Sequence, residues 1–230
     1  MQCKLPKKQT IYISSSMAYT RLSTIIYACK NNLVPSTWSI GSTNYITING
    51  TPYQIEVIGK NHDEYADGSG TAPLTFQLLD CYALNEMNSS RTNVGGWANS
   101  EMRNTHLPAI LALMPSEVRA SIREVNKKTS KGNTSSGIVT TADKLFLLSE
   151  IEIFGSSSSS AKGEGTQYKR YAYTSTYGDP IKNFNGSATA WWGRSPDING
   201  SSRFIGVGTS GGKSRAYADT ERGVSFAFCF

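Results

Sequence analysis

Apolar and polar residues alternate over 45–48 and again over 53–58, with Asn49-Gly50 between the two runs. A period of two marks a strand with one buried face. Asn-Gly is the favoured pair for a two-residue type I′ turn, so the segment predicts a hairpin. A third strand is expected over 74–79. Ahead of the hairpin, Leu22, Ile25, Ile26 and Cys29 recur at helical spacing. They predict a helix over 17–30, with Ser16 as its cap and Asn31-Asn32 and Pro35 ending it. Residues 1–16 read as a lead-in with one short strand at 11–13.

The middle of the chain reads as short helices over 97–103, 106–113 and 115–120, the last opening on Pro115. Strands are expected over 122–127 and 144–148, and a short helix over 149–154. The serine-rich stretch 156–165 reads as mobile. The last third reads as strands and loops alone. One strand starts at Ala190-Trp191-Trp192, and two more, over 203–207 and 214–218, pair across Gly211-Gly212. A final strand runs over 224–230, with Val224, Phe226, Phe228 and Phe230 on one face. With no internal repeat and no long linker, residues 17–230 predict a single domain of the α+β class.

Composition sharpens this picture. Of 230 residues, 38% are hydrophobic and only 17% are charged, so Ser, Thr, Asn and Gly supply most of the polarity. That balance favours short strands and turns over a helical bundle. No apolar run reaches the length of a membrane span. Lys4, Lys7 and Lys8 are not followed by an apolar stretch, so no secretory signal is expected. The net charge of +6 comes from scattered lysines and arginines, which argues against a nucleic-acid partner. Cys3, Cys29, Cys81 and Cys229 form no C-x-x-C pair. Cys81 and Cys229 lie in apolar stretches and read as buried thiols of a chain folded under reducing conditions.

The candidate chemistry is sparse. Residues 206–214 resemble a phosphate-binding loop, but Val207 stands where the motif requires glycine, so they read as a hairpin turn. Asn61-His62-Asp63-Glu64, with Asp67, is the densest group of metal-capable side chains. Tyr65 interrupts the alternation a calcium loop needs, and the group reads as a solvated surface loop. His106, beside Leu107-Pro108, reads as a helix start. The sequence predicts no catalytic residue, no metal and no cofactor. Residues 201–222 are different. They mix Gly and Ser with Arg203, Phe204, Lys213, Arg215, Tyr217 and Asp219, the composition of an adaptable binding surface.

Several ordered segments carry a resemblance. They are Trp38-Ser39-Ile40-Gly41, Ile55-Glu56-Val57-Ile58-Gly59 and Asn93-Val94-Gly95-Gly96-Trp97 with Met102-Arg103. They continue with Asp143-Lys144-Leu145-Phe146-Leu147-Leu148-Ser149, Trp191-Trp192-Gly193-Arg194-Ser195-Pro196, and the terminal run from Arg222 to Phe230. Over about residues 20–230 the chain resembles a domain family found at the ends of tail and tail-fibre proteins of phages and prophages of gut Firmicutes. That family is similar to the C-type-lectin-like fold of formylglycine-generating enzymes and to the variable proteins diversified by retroelements.

The resemblance implies a non-catalytic receptor-binding domain on a C-type-lectin-like fold, acting at the tip of a phage tail in the virion after synthesis in the bacterial cytoplasm. Its partner would be a bacterial cell-surface protein or glycan, without membrane insertion, and tail fibres imply a homotrimer. The binding region would be residues 195–221, flanked by Trp192 and Arg194, with Arg203, Phe204, Arg215, Tyr217 and Asp219 making contacts. The enzyme branch of the fold needs a reactive cysteine pair near its C-terminal end, and only Cys229 stands there. The calcium-dependent sugar-binding motifs of animal C-type lectins are also missing. Two alternatives stand beside this expectation: a structural tail component, and a metal-dependent enzyme using His62, Asp63 and Glu64.

Overall fold

The computed structural model describes residues 11–230. The first ten residues of the expected lead-in, Cys3 among them, lie outside the described residues, and no strand forms at 11–13. A short 3₁₀ turn, Met17–Tyr19, precedes α1 (Leu22–Lys30). The hairpin follows as β1 (Thr43–Ile48) and β2 (Thr51–Gly59), then β3 (Thr75–Leu78) and β4 (Ala83–Asn85). The helical middle holds α2 (Gly96–Asn99), a π-helical turn (Met102–His106), α3 (Leu107–Ala112) and α4 (Ser116–Arg119). A second hairpin, β5 (Val125–Ser130) and β6 (Ile138–Asp143), leads into α5 (Glu150–Phe154), α6 (Lys169–Ala172) and α7 (Thr174–Tyr177). The last third holds β7 (Lys182–Phe184), β8 (Ser187–Thr189), β9 (Trp191–Pro196), β10 (Arg203–Val207), β11 (Lys213–Tyr217), β12 (Arg222–Val224) and β13 (Ala227–Cys229).

Two larger sheets organise these elements into an α+β architecture. One has the order β1-β2-β3-β13 and the other β11-β10-β9-β12-β4. The first sheet therefore joins the N-terminal hairpin to the C-terminal strand. The β1–β2 register closes at Ile48↔Thr51, and Asn49 and Gly50 both take positive φ, as the Asn-Gly turn requires. Between β12 and β13 the chain passes from one sheet to the other within two residues, Ser225 and Phe226.

The core lies between and around the sheets. All four tryptophans are fully buried, and so are Phe76, Phe226, Phe228 and Phe230. Each indole N–H finds an acceptor: Trp38 on Ser14, Trp97 on Asp143, Trp191 on Pro180 and Trp192 on Asn85. A buried indole without an acceptor would carry a desolvation cost, so these pairs decide how each ring is set. Phe76 meets Phe228 and Phe230 at 5.7 Å between centroids, across the β3–β13 pair.

The structure corrects several expectations. Residues 144–148 form no strand, and Phe146 makes only a single bridge, with Ala227. Leu145, Phe146, Leu147 and Leu148 are apolar because all four side chains are buried, and burial does not require a ladder. The strand lies earlier, at β6, where a polar run pairs along β5. Ser16 makes no side-chain cap, and the helix proper starts at Leu22. The stretch 156–165 is packed in part, with Ser159, Ser160, Ala161 and Glu164 buried. Two helical turns, α6 and α7, occupy a region read as strand and loop. The alternation over 224–230 does not separate an inner from an outer face. Residues 223–230 are buried throughout, because β13 is bonded to β3 and also bridged by Arg123 and Phe146.

One buried side chain positions the loops above the second sheet. Asn93 is fully buried. Its Nδ2 donates to the carbonyls of Gly200 at 2.8 Å and Arg203 at 2.9 Å, and to Asp197 at 3.3 Å. Its Oδ1 accepts from the N–H of Asn133 at 2.8 Å. Gly132, at φ +69°, lets that neighbouring loop pass so close that any Cβ would overlap the Asn93 carbonyl. Asn93→Ala leaves these buried groups unpaired and is expected to cost about 3 kcal/mol. Denaturant unfolding of the variant against wild type checks this.

Candidate functional site

Beneath the C-terminal surface lies a line of buried charges. Asp63, Lys127, Glu152, Glu164 and Arg194 are all nearly or fully shielded from solvent. Lys127 Nζ lies 2.7 Å from Asp63 Oδ1 and 2.7 Å from Glu152 Oε1. Arg194 Nη1 and Nη2 both donate to the Glu152 carboxylate. The rest of the Arg194 fork is satisfied by Thr129 Oγ1 and by the carbonyls of Leu147, Lys128 and Glu164. Two cations and two carboxylates thus alternate, which is how buried charge is tolerated. Burial alone would raise the Glu152 carboxyl, but Arg194 and Lys127 overcome it and hold Glu152 down to about 2.

Local structure sets these groups. Glu152 is the third residue of α5 and closes a capping box with Ser149, so its carboxylate serves the helix N-terminus as well as Arg194. Arg194 sits on β9, at the centre of its sheet. Glu164, from the serine-rich stretch, accepts from the Ser130 N–H at 2.9 Å and from the Ser195 hydroxyl. Its burial pushes the carboxyl up to about 7, against those two hydrogen bonds and Arg194. Ser195, next to Arg194, also accepts from the Glu150 N–H at 2.8 Å. These bonds hold Glu164 in the interior while Lys162 and Gly163 beside it stay exposed.

The surface itself is carried by the β10–β11 hairpin and the loop before α2. Cross-strand pairs Arg203↔Tyr217, Ile205↔Arg215 and Val207↔Lys213 share one face. The guanidinium of Arg203 lies 4.5 Å from the Tyr217 ring centroid and donates to its hydroxyl at 2.9 Å. Arg91 lies over the same ring at 4.2 Å and bonds Asp219 at 3.1 Å. Arg215 reaches the buried Asp197 at 3.4 Å while remaining 46% exposed, and Arg91 is 59% exposed. Lys213 bonds Glu150 at 3.1 Å and Ser159 at 3.0 Å, tying the hairpin to the start of α5 and the packed serine stretch.

The residues expected to make contacts therefore divide. Arg203, Arg215, Tyr217 and Asp219 come together on this surface. Trp192, Arg194 and Phe204 do not, and their assignment as contact residues is corrected: each is fully buried. Phe204 pairs with Ala216 on the opposite face of the hairpin, Trp192 is held by Asn85, and Arg194 is consumed by the interior charges. Arg91 is the functional candidate the sequence reading missed. It lies 126 positions from Tyr217 along the chain (217 − 91), and no motif links them.

The group at His62 also reads differently in three dimensions. Asp63 is buried rather than solvated, and it accepts from Lys127, Thr75 and Tyr168. Its oxygens are occupied by those donors. His62 stacks on the Tyr168 ring at 3.9 Å, and its burial lowers the imidazole below its usual range. Cys29, Cys81 and Cys229 are buried thiols, with Cys81 and Cys229 as the sequence reading has them. Residues 208–212 form the turn between β10 and β11.

Glu164 gives this interior a pH signature. Its folded value near 7 lies above the ordinary 4.5, so the folded chain holds a proton the unfolded chain has released. That stabilisation is complete below about pH 4.5 and is lost as pH rises to about 7, a change of about 3 kcal/mol. Glu152 has the opposite sign, but its window lies between pH 4.5 and about 2. His62, lowered by burial, contributes with the opposite sign around pH 6.5, so Glu164 is isolated by difference: from pH 5 to pH 8 the wild type is expected to lose stability relative to Glu164→Gln. Urea titrations of both proteins at the two pH values check this.

Among the described residues, no helix is long and apolar enough to cross a membrane. No curated protein matches the chain. No solved structure matches it either. Residues 74–230 match the family described as "Domain of unknown function (DUF6273)". The match runs from the start of β3 to the C-terminal strand and takes in the buried charges of β5, α5 and β9, every strand of the second sheet and the Arg–Tyr surface. With well over half of its length matched, the chain belongs to the DUF6273 family.

Proposed function

We propose that this chain is a non-catalytic receptor-binding domain of a phage tail or tail-fibre protein, built on a C-type-lectin-like scaffold. The observation that carries the reading is the surface cluster of Arg91, Arg203, Arg215 and Tyr217, with Arg91 and Arg215 exposed and the other two half-buried, mounted on an interior locked by paired charges. Guanidinium forks match carboxylate and phosphate groups in a planar, bidentate way, and Tyr adds a rigid amphipathic face. The ligand would be a bacterial cell-surface protein or glycan presenting acidic groups. One antiparallel and one mixed sheet, short helices and long loops support the lectin-like scaffold, and the segment resemblance supports the tail context.

A second reading has its own observation. β11 is the outermost strand of its sheet, so its outer edge is placed to receive a neighbouring chain. Residues 195–221 would then pack against an adjacent subunit in a homotrimeric structural component of the tail.

The test is strain-selective cell binding by the labelled domain, presented as a trimer to restore avidity. Wild type is expected to bind a subset of gut Firmicute strains. A variant with Arg91, Arg203, Arg215 and Tyr217 changed to Ala is expected to lose at least about tenfold in affinity, or about 1.4 kcal/mol. Equal binding by a folded variant would exclude this surface as the receptor site. A monomer-to-trimer transition abolished by the same changes would favour the structural reading instead.

A further inference from the structure

A separate cluster lies below the loop that carries Arg91. Glu86 follows β4 directly, Glu101 opens the helical stretch leading to α3, and His106 closes the π-helical turn. Among the described residues, these three bring a carboxylate oxygen, a second carboxylate oxygen and an imidazole nitrogen within 4.8 Å of one another. Their side chains are only partly exposed. Nε2 of His106 is 3.9 Å from Glu86 Oε1, beyond hydrogen-bond range. That nitrogen is closed off from solvent and has no hydrogen-bond partner. A buried polar atom left without a partner calls for a ligand or an ordered group to satisfy it.

The helix geometry explains how the residues meet. Glu101 and His106 are five positions apart, and an α-helix of 3.6 residues per turn would set them on well-separated faces. The Leu107 N–H instead bonds the Met102 carbonyl, an i→i+5 closure that widens the turn. That widening swings His106 back toward the side of Glu101. Such π-turns are rare and concentrate at functional sites. The carboxylate of Glu101 is itself held in place: Ser89 Oγ donates to its Oε1 at 2.6 Å, and its backbone N–H donates to Asn88 Oδ1 at 3.0 Å.

We propose that Glu86, Glu101 and His106 form a binding site for a divalent transition-metal ion of the zinc class. One imidazole nitrogen with two carboxylate oxygens is a ligand set suited to zinc, whereas calcium and magnesium take oxygen ligands. Two carboxylates and a neutral imidazole offset the dication's charge. Three protein ligands leave a fourth, tetrahedral position for water or a ligand group. With metal bonds of about 2.0–2.2 Å, ligand atoms sit about 3.4 Å apart, so His106 and Glu86 need close by only about half an ångström. Ser89 would serve as the outer group that orients a ligating carboxylate.

The site has a consequence for the surface above it. Met87 and Asn88 both donate their backbone N–H to the Ala218 carbonyl, and Arg91, in the same loop, reaches Asp219. An ion at Glu86 pins the start of that loop to the helix and steadies Arg91 beside Tyr217. This consequence rests on the receptor-binding reading, but the metal site does not.

The test titrates the full, tag-free chain, first stripped with a chelator, with zinc sulfate. Calorimetry reads stoichiometry and affinity, and nitrogen-detected NMR reads the imidazoles. The chain has two histidines, His62 and His106, so the assignment is direct. One ion per chain is expected, with the His106 nitrogens shifted and those of His62 unmoved. Glu86→Gln with Glu101→Gln keeps side-chain volume and is expected to weaken zinc at least about tenfold, as is His106→Ala. Melting temperatures without metal confirm that the variants fold. Absence of saturable zinc uptake by wild type, a shift at His62 alone, or unchanged affinity in the folded double variant would overturn the site. None of these readouts depends on a cell-surface ligand.

Discussion

Arg194 occupies the centre of the second sheet with no exposure to water, and the surrounding architecture follows from the need to satisfy its five N–H donors. Glu152 supplies the countercharge from the first turn of α5. Thr129 and Lys128 supply acceptors from β5, Leu147 from the apolar run before α5, and Glu164 from the serine-rich stretch. Four segments distant in sequence are thereby fixed to β9. Lys127 extends the line to Asp63, which in turn holds Thr75 on β3 and Tyr168 before α6. The two sheets are joined by polar chemistry as well as by their aromatic core. Breaking any one pair would leave its partner charged and buried, which costs more than the pair itself contributes.

The C-terminal residues complete this arrangement from the apolar side. Within eight residues the chain completes β12 in one sheet and β13 in the other, and the Phe226, Phe228 and Phe230 rings pack with one another and with Phe76. Tyr65 donates its hydroxyl to the Phe230 carbonyl at 2.6 Å, so the end of the chain is held by a side chain from the loop after β2. Such an interior lets loops above the sheets be polar and irregular without loss of position. Asn93 shows the same economy, since one amide group serves three carbonyls and an N–H from two loops.

What this rigidity serves is the side where the β10–β11 hairpin meets the loop of residues 86–92. Tyr217 receives two guanidinium groups, one from its own hairpin and one from that loop. The same loop begins at Glu86, beside Glu101 and His106. The proposed recognition surface and the histidine–carboxylate cluster therefore share one short segment. Arg91 links them, through Asp219 on one side and through the chain to Glu86 on the other. A binding surface whose cations are already stacked and paired loses little side-chain freedom on meeting a ligand.

Local signals were legible where the physics is local. The Asn49-Gly50 hairpin, the pairing of 203–207 with 214–218, the short helix over 149–154 and the buried thiols of Cys81 and Cys229 could all be read from neighbouring residues. Periodicity and turn chemistry act over a few positions and need no tertiary partner. Composition pointed to Arg203, Arg215 and Tyr217, and the hairpin register sets them side by side at its outer end, with Arg215 exposed and the other two half-buried. The rest depended on contacts between distant positions. An arginine's sequence neighbours do not say whether its charge meets water or Glu152, and so Arg194 looked like a surface residue. Trp192 and Phe204 lie on strands whose two faces are both covered, which alternation cannot reveal. Arg91 meets Tyr217, and Glu86 meets His106, only because separate loops and a widened helical turn converge, and that convergence is set by how the sheets and helices pack.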